Sequence, residues 1–446
     1  MTYDVAIAGG GTAGCALAAR LSEDPSRTVC LVEAGPDYGA FDDGAWPEDL
    51  LDARTLAFSH AWETDREDRS QLRARVIGGC SAHNACILIR PPPEDYDAWG
   101  PGWSYPEVAP YLDRAEATFA PRTFPEDELS PWHRAFAEAA GEDTIVHTAN
   151  VRGTTRWNAG FAYLDAARSR ANLTILAATL VDRVLVEGGR AVGLETEGAE
   201  IRARTVVLAA GAYGSPAILL RSSVDPALPV GLGLQDHVGV GFGFASPTAI
   251  QEEAARFTDE RPLFSAQVSL RARSSTCEPG LWDLFHLAAL DQDAEGRFEA
   301  SAATFVMRTR SRGSVRLAAA DPRVPPIVDH GLLADPRDAA ALEEAVIQLR
   351  SLAANAGVAE LGGDEVRPGP DVSPEEHART GARGFFHPTG TCAIGAVVDD
   401  RCRVLGVESL FVADASVMPE VPRVNTNLAT AAVAERVAAQ LGGAAV

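Results

Sequence analysis

The chain has 446 residues, of which 46% are hydrophobic and 23% charged; these values are typical of a globular protein with a large core, which we expect to be divided between two interleaved domains. Its net charge of −23 argues against nucleic acid as a partner, because phosphates require a basic surface. All basic side chains are arginines, which excludes Schiff-base chemistry and lysine general bases.

The cysteines, the N-terminus and the hydropathy pattern bear on the location of the protein. Its 7 cysteines are scattered, and no CxxC pair or zinc-type spacing occurs, so we expect reduced thiols and no metal site. The first predicted strand begins near Tyr3, which leaves no room for a signal peptide, and no apolar run is long enough for a membrane span. The expected location is cytoplasmic.

A dinucleotide-binding fingerprint begins the chain. A buried strand over 4–9 is followed by the sequence GGGTAG, a helical segment and a second strand that ends on Glu33. In this context the helix N-terminus is predicted to face a pyrophosphate and Glu33 a ribose hydroxyl; an ordinary glycine turn is the alternative. The residues assigned to the nucleotide at the turn are Gly9, Gly11, Thr12, Ala13 and Gly14.

A second glycine turn lies in the sequence RARVIGGCSAHNAC, residues 73–86. Gly78 and Gly79 allow a tight turn close to a bound group, and His83 and Asn84 follow within a few residues. Two glycine turns predict a large cofactor that is held at two places. Because no second strand-turn-helix fingerprint and no CxxxxC pair follow, the pattern favours resident FAD over shuttling with NAD(P)H.

The remaining elements complete a two-domain organisation. A second βαβ-like trace is predicted from strands at 173–176, 181–186, 191–195 and 205–209, with a helix after the last. Alternating segments between 238 and 380 predict an antiparallel sheet with one face solvated, together with a helix over 338–354. The predicted FAD-binding domain therefore comprises 1–237, with an inserted segment at about 95–155 that contacts the substrate domain. The substrate domain comprises 238–380, and 381–446 returns to the FAD-binding domain.

Seven segments in the same order resemble the glucose–methanol–choline (GMC) oxidoreductase family over essentially the whole chain. They are GGGTAGCALAARLSED, RARVIGGCSAHNAC, AAGAYGSPAILLRSS, LGLQDH, SRGSVRLAAADPRVPPI, FFHPTGTCAIG and FVADASVMPEVPRVNTN. The resemblance implies an α/β fold, with a Rossmann-like FAD-binding domain containing a parallel sheet and a substrate domain containing an antiparallel sheet. It also implies oxidation of an alcohol by hydride transfer to the flavin N5.

The resemblance implies two catalytic residues, His387 and Asn425. A neutral histidine suits removal of a hydroxyl proton, and an asparagine suits hydrogen bonding to an alkoxide. The alternatives are a turn histidine before Pro388 and a helix-capping asparagine, with Asn427 as the reserve candidate.

The resemblance also assigns residues to the cofactor. Asp414 and Ala415 match positions that hold the ribityl and pyrophosphate part of FAD. Val181 and Thr426 belong to the same predicted set, and Arg75 is a candidate to flank the flavin ring, with a structural role as the alternative.

His83 is a candidate for covalent attachment of FAD. Some family members, choline oxidase among them, attach FAD through a histidine in a similar GGCS-x-HN segment. The alternative is a histidine that only hydrogen-bonds near the flavin. Ala85 stands where choline oxidase has a serine, so the substrate of that enzyme does not carry over.

The resulting hypothesis is an FAD-dependent enzyme that takes a small-molecule alcohol as substrate and O₂ or another acceptor as electron partner. The alternatives are a flavin-binding electron-transfer or partner protein and a different flavin reaction, such as decarboxylation. Retention of both His387 and Asn425 favours alcohol oxidation. The sequence does not indicate which alcohol is the substrate, or whether the enzyme is an oxidase or a dehydrogenase.

Overall fold

The computed structural model describes residues 2–62 and 71–443. Its strands, in chain order, are β1 (Thr2–Ala8), β2 (Val29–Val32), β3 (Arg122–Thr123), β4 (Thr144–Val146), β5 (Thr148–Ala149), β6 (Val151–Arg152), β7 (Thr155–Arg156), β8 (Leu173–Leu176), β9 (Val181–Glu187), β10 (Arg190–Thr196), β11 (Glu200–Leu208), β12 (Leu232–Leu234), β13 (Val238–Phe244), β14 (Val268–Ala272), β15 (Leu284–Gln292), β16 (Phe298–Val306), β17 (Gly313–Arg316), β18 (Ile327–Asp329), β19 (Glu365–Arg367), β20 (Arg383–Gly384) and β21 (Leu410–Val412).

The described part of the chain also contains helices, which lie between these strands in the sequence. They are α1 (Thr12–Leu21), α2 (Glu48–Leu51), α3 (Pro93–Asp97), α4 (Tyr105–Phe119), α5 (Pro131–Ala140), α6 (Gly211–Arg221), α7 (Thr248–Thr258), α8 (Pro336–Ala353), α9 (Ala356–Gly362), α10 (Pro374–Gly381) and α11 (Thr426–Gly442). No helix within the described ranges combines the length and apolar character needed to cross a membrane.

The first large sheet is the predicted nucleotide-binding sheet. Strands β8, β2, β1, β11 and β21 are parallel neighbours in that order, and their short apolar runs are buried, as parallel strands between helices require. Strands β9 and β10 extend the sheet as an antiparallel hairpin, because the turn at Gly188-Gly189 is too short for a parallel crossover. Helices α1 and α11 pack together beside it.

The second large sheet is antiparallel, with the order β19-β13-β16-β15-β14-β4, and β20 pairs with β13 beside β19. Helices α5 and α8 cover one face of this sheet. Within the segment 95–155, β4 pairs with β14 and α5 packs against the sheet. The predicted α/β fold with a parallel and an antiparallel sheet is confirmed.

Candidate active site

The first glycine turn joins β1 to α1 and admits no side chains at its two ends. Gly9 has φ +102°, and an added Cβ would lie 2.5 Å from the Ala209 carbonyl oxygen. A Cβ at Gly14 would lie 1.8 Å from the Gly9 carbonyl oxygen, so α1 packs directly on the turn. At Gly11 the nearest atom to an added Cβ is 3.9 Å away, which leaves room in front of the first turn of α1, where Thr12 and Ala13 lie.

Glu33 follows β2 and supports this turn from behind. Its Oε2 accepts a hydrogen bond from the Gly10 amide at 2.7 Å, and its Oε1 accepts one from the Gly35 amide at 2.8 Å. Burial raises the pKa of the Glu33 carboxyl group, although these amides oppose that effect. Arg75 lies on the same side, because its Nε donates to the Ala34 carbonyl at 3.1 Å.

The second glycine turn lies directly on the first. The Gly78 amide donates to the Gly10 carbonyl at 2.8 Å. Gly79 has φ +53°, and an added Cβ would lie 2.6 Å from Gly11 Cα, so only glycine permits this approach. The structure thus brings together the two turns that the sequence separates by about 65 residues. We call residues 9–11 and 78–79 together the glycine cradle.

His83 and Asn84 follow the second turn and have different surroundings. Asn84 Oδ1 accepts from the Cys86 amide at 3.0 Å, so this side chain holds the loop locally. His83 Nε2 is buried and makes no hydrogen bond to the described chain. Burial lowers the pKa of His83 to about 4, which keeps its ring neutral at pH 7.

The remaining predicted cofactor residues lie at the ends of strands and helices. Asp414 follows β21, and its Oδ2 accepts from the Gly211 amide at 2.8 Å and from Ser215 Oγ, which fastens the start of α6 to this strand. Ala415 follows it, Val181 is the buried first residue of β9, and Thr426 is the first residue of α11.

His387 and Asn425 are brought together across the chain. His387 Nε2 lies 3.4 Å from Asn425 Nδ2. Asn425 precedes α11 at the N-cap position, but its side chain makes no capping hydrogen bond to the described residues. Asn427 faces the other way, and its Oδ1 accepts from Thr12 Oγ1 at 2.7 Å beside the glycine cradle. The start of α11 therefore links the cradle to His387.

A second histidine, His237, determines which nitrogen of His387 carries the proton. His237 Nε2 lies 2.9 Å from the Pro422 carbonyl oxygen, which can only accept, so this nitrogen is protonated. Burial lowers the pKa of His237 to about 4, so the ring is neutral and its Nδ1 is an acceptor. His387 Nδ1 lies 3.0 Å from that nitrogen and must donate to it. The unprotonated nitrogen of His387 is therefore Nε2, which faces Asn425.

The backbone of His387 is held by a buried carboxyl group. Asp236 Oδ1 accepts from the His387 amide at 3.0 Å, and burial raises the pKa of Asp236 to about 7. Sequence reasoning used Asp236 and His237 only as part of the LGLQDH family segment and assigned them no role. The signal that marks them is a pair of titratable residues next to each other, which the structure places directly before strand β13.

An arginine adds positive charge beside the histidines. Arg73 lies over the ring of Tyr213 at 5.0 Å, and its Nη1 donates to the carbonyl of Phe386, next to His387, at 3.3 Å. Burial, then His237 and then Arg73 lower the pKa of His387 well below its ordinary value. All three effects disfavour the imidazolium form, so the His387 ring is neutral at pH 7.

The chain is similar to known proteins over nearly its whole length. Family models described as GMC oxidoreductase match residues 3–239 and 309–434. The chain is 32% identical to the 5-(hydroxymethyl)furfural oxidase of Methylovorus sp. (strain MP688), over 98% of each chain. It is 30% identical to the mitochondrial choline dehydrogenase of Mus musculus, over 98% of this chain and 89% of that one.

The fold also matches solved structures. Pyridoxine 4-oxidase from Mesorbium loti has a TM-score of 0.86 and 26% identity, with 100% of both chains covered. Formate oxidase from Aspergillus oryzae has a TM-score of 0.83 at 19% identity, which supports the fold alone. Since the family models cover well over half of the chain, the protein belongs to the GMC oxidoreductases and is an FAD-dependent alcohol oxidoreductase.

Proposed function

We propose that the protein oxidises the CH–OH group of a small alcohol to a carbonyl, with His387 as general base and Asn425 as hydrogen-bond donor to the alkoxide. One observation carries this proposal. The unprotonated Nε2 of His387 and the Nδ2 donor of Asn425 lie 3.4 Å apart, next to the start of α11. An alcohol oxygen placed beside the pair, within hydrogen-bonding distance of both nitrogens, would donate its proton to His387 and accept a hydrogen bond from Asn425.

The proton transfer uses His387 in the tautomer that its hydrogen bond to His237 fixes. His387 Nδ1 donates to His237 Nδ1, so His387 receives the substrate proton on Nε2 without first exchanging tautomers. The imidazolium that forms keeps its Nδ1 hydrogen bond to His237, while Asn425 stabilises the alkoxide before the hydride leaves the carbon.

The glycine cradle and the helix ends around it fit FAD. The space in front of Gly11 and the first turn of α1 suits a pyrophosphate, and Asn427 and Thr12 join α11 to the same place. We assign the cradle, Glu33, Val181, Asp414, Ala415 and Thr426 to cofactor binding; Arg75 lies on the Glu33 side. When bound, FAD supplies the acceptor for the hydride, and oxygen or another acceptor then takes up the two electrons.

We further propose that His83 anchors FAD covalently. Its buried Nε2 has no hydrogen-bond partner in the described chain, and its ring is neutral and hence nucleophilic. In forming the bond, His83 Nε2 would join a flavin methyl carbon, which would lose one hydrogen as a proton, and the ring would give up its remaining N–H proton. The two electrons released would pass to the terminal acceptor.

The proposed reaction is tested with the purified holoenzyme under anaerobic conditions. A panel of primary and secondary alcohols is mixed with the protein while the flavin absorbance is followed. Bleaching by at least one alcohol, with formation of the matching carbonyl compound, is expected. A flavin that no alcohol bleaches would contradict the proposal and favour an electron-transfer protein or another flavin reaction.

The covalent anchor is tested separately by acid precipitation. The yellow flavin is expected to remain with the precipitated chain, and His83→Ala is expected to release it into the supernatant. Free flavin from the unmodified protein would refute the anchor without affecting the proposed reaction.

A further inference from the structure

One face of the antiparallel sheet has an apolar stretch beside His387, and an arginine lies at each end of it. Arg271 on β14 is paired with Phe285, and Arg383 on β20 is paired with Gly239. Phe285 on β15 and Phe305 on β16 are paired in register, and Gly239 on β13 is the next partner across the sheet. Because side chains alternate along strands, these residues share one face. The other face carries buried residues such as Leu284 and packs against α5 and α8.

Phe385 connects this face to His387. Its ring stacks on Phe305 with 3.7 Å between centroids and an interplanar angle of 17°, and its edge-to-face contact with His387 has a centroid distance of 4.8 Å. Phe385 remains partly exposed, whereas Phe305 is buried beneath it. The aromatic pair therefore forms a wall directly beside the proposed base.

The same face stays open further along the strands. Gly241, Ala303 and Leu287 are neighbours in register, one pair beyond the two phenylalanines. Gly241 is exposed, and among the described residues a Cβ added there would meet only the Ala302 carbonyl oxygen, at 4.0 Å. Ala303 and Leu287 are partly exposed. We call Gly241, Ala303, Leu287 and the Phe305–Phe385 pair the open apolar face.

The charges around this face do not suit a cationic substrate. Among the described residues beside His387, the carboxyl group of Asp236 is fully buried, and one of its oxygens is bonded to the His387 amide. The charged side chain next to Phe386 is the cation Arg73. Within the strands of this face, the carboxylates Asp291 and Glu299 lie about 20 Å from the phenylalanine pair at strand spacing. Asp283, just before β15, is closer, and its carboxylate accepts hydrogen bonds from the amide and hydroxyl of Ser274.

Resting on the proposed function, we infer that the substrate is a neutral alcohol with an aromatic or heteroaromatic ring, which lies along the open apolar face while its CH₂OH group reaches His387 and Asn425. Contacts between the substrate ring and Phe385 would orient the substrate and also bury apolar surface. A quaternary ammonium alcohol would leave its charge without a carboxylate partner and close to Arg73.

Three alcohols test whether the substrate is aromatic and neutral. They are benzyl alcohol, cyclohexylmethanol, which is saturated and of similar size, and choline, which is cationic. The expected kcat/KM for benzyl alcohol exceeds that for cyclohexylmethanol by about three- to tenfold and that for choline by about 100-fold or more. Choline within tenfold of benzyl alcohol, or a preference for cyclohexylmethanol, would overturn the inference while leaving the proposed function intact. If none of a wider panel bleaches the flavin, the proposed function itself fails.

A substitution that narrows the open apolar face tests its location. Ala303→Leu is expected to raise the KM for benzyl alcohol about tenfold and to change the KM for ethanol by less than threefold, because only the longer substrate needs this space. Glu299→Leu, on the same strand and face but at its far end, is the matched control and should leave both KM values within twofold. Flavin content confirms that both variants fold. An equal effect of both variants, or none from Ala303→Leu, would contradict the inference.

Discussion

The glycine cradle and the open apolar face are built in opposite ways. In the cradle, two turns from distant parts of the chain meet backbone to backbone, and Gly79 approaches Gly11 too closely for any side chain. The open apolar face is a regular sheet whose character depends on which side chains alternate along its strands, such as Phe305 and Ala303. We therefore expect the glycine cradle to tolerate almost no substitution. On the open apolar face, a few substitutions should be enough to change which alcohol the enzyme accepts.

This difference separates cofactor chemistry from substrate choice. Backbone contacts at the cradle suit a cofactor shared across a family, while the side chains over the sheet distinguish one alcohol from another. His387 lies between the two regions, since Asn425 and α11 lead to the cradle and Phe385 leads to the sheet. Substitutions in the two regions should therefore have different consequences.

The largest effect is expected in the cradle. In Gly79→Ala, a Cβ must fit 2.6 Å from Gly11 Cα at φ +53°, so we expect a loss of about 2–5 kcal/mol in the free energy of unfolding and loss of most bound FAD. Gly153→Ala is the matched control, because Gly153 has φ +59° and no atom of residues 2–62 or 71–443 lies within 4 Å of an added Cβ. It should cost about 1–2 kcal/mol and retain FAD. Thermal denaturation and the flavin-to-protein ratio measure both; equal FAD retention in the two variants would show that close approach is unimportant.

The next largest effect is expected at Asn425, the proposed hydrogen-bond donor to the alkoxide. Asn425→Ala should lower kcat/KM by about 10²–10³-fold per bound flavin, because the developing negative charge loses its donor. Asn427→Ala should act mainly on FAD retention, since Asn427 contacts Thr12 rather than His387. Steady-state rates normalised to flavin content distinguish the two asparagines, and a larger rate loss in Asn427→Ala would reverse our assignment.

A smaller loss of kcat/KM is expected when His387 no longer has a hydrogen-bond partner that fixes its tautomer. His237→Leu removes the acceptor for His387 Nδ1, and we expect kcat/KM to fall about 10- to 100-fold with FAD still bound. His237→Asn keeps an acceptor oxygen near the same position and should recover most of that loss. If the leucine and asparagine variants are equally slow, His237 acts by packing and not through its nitrogen.

The smallest expected effect is the change of kcat/KM with pH. Since the pKa of His387 lies well below its ordinary value, the ring stays in the neutral form required of a base as the pH falls to about 6.5. We expect kcat/KM to be level from pH 8 to pH 6.5 and to decline only at lower pH, as His387 becomes protonated. An acid limb centred above pH 7 would contradict this, and Asp236→Asn would then show whether Asp236 is responsible.

Much of the cofactor region was predictable from the sequence because glycine spacing reports directly on backbone geometry. The fingerprint at Gly9–Gly14 and the pair Gly78-Gly79 indicated a cofactor held at two places, and the family resemblance led to His387 and Asn425. The sequence left Asn427 open as an alternative, because only the three-dimensional direction of each side chain at the start of α11 separates the two asparagines.

The substrate region was less predictable because its chemistry depends on long-range register. The stacking of Phe385 on Phe305 joins residues about 80 positions apart, and no local motif indicates it. The role of His237 was missed for a related reason, since it follows from a hydrogen bond to the Pro422 carbonyl, which lies 185 residues later in the chain.

The proposed reaction depends above all on removal of the alcohol proton by His387. It is tested most directly by the first-order rate of anaerobic flavin reduction in His387→Ala, measured in a stopped-flow instrument with the best alcohol substrate and at a flavin content equal to that of the unmodified protein. We expect a rate about 10²- to 10⁴-fold lower than that of the unmodified enzyme. A rate within threefold of the unmodified enzyme would show that His387 is not the base.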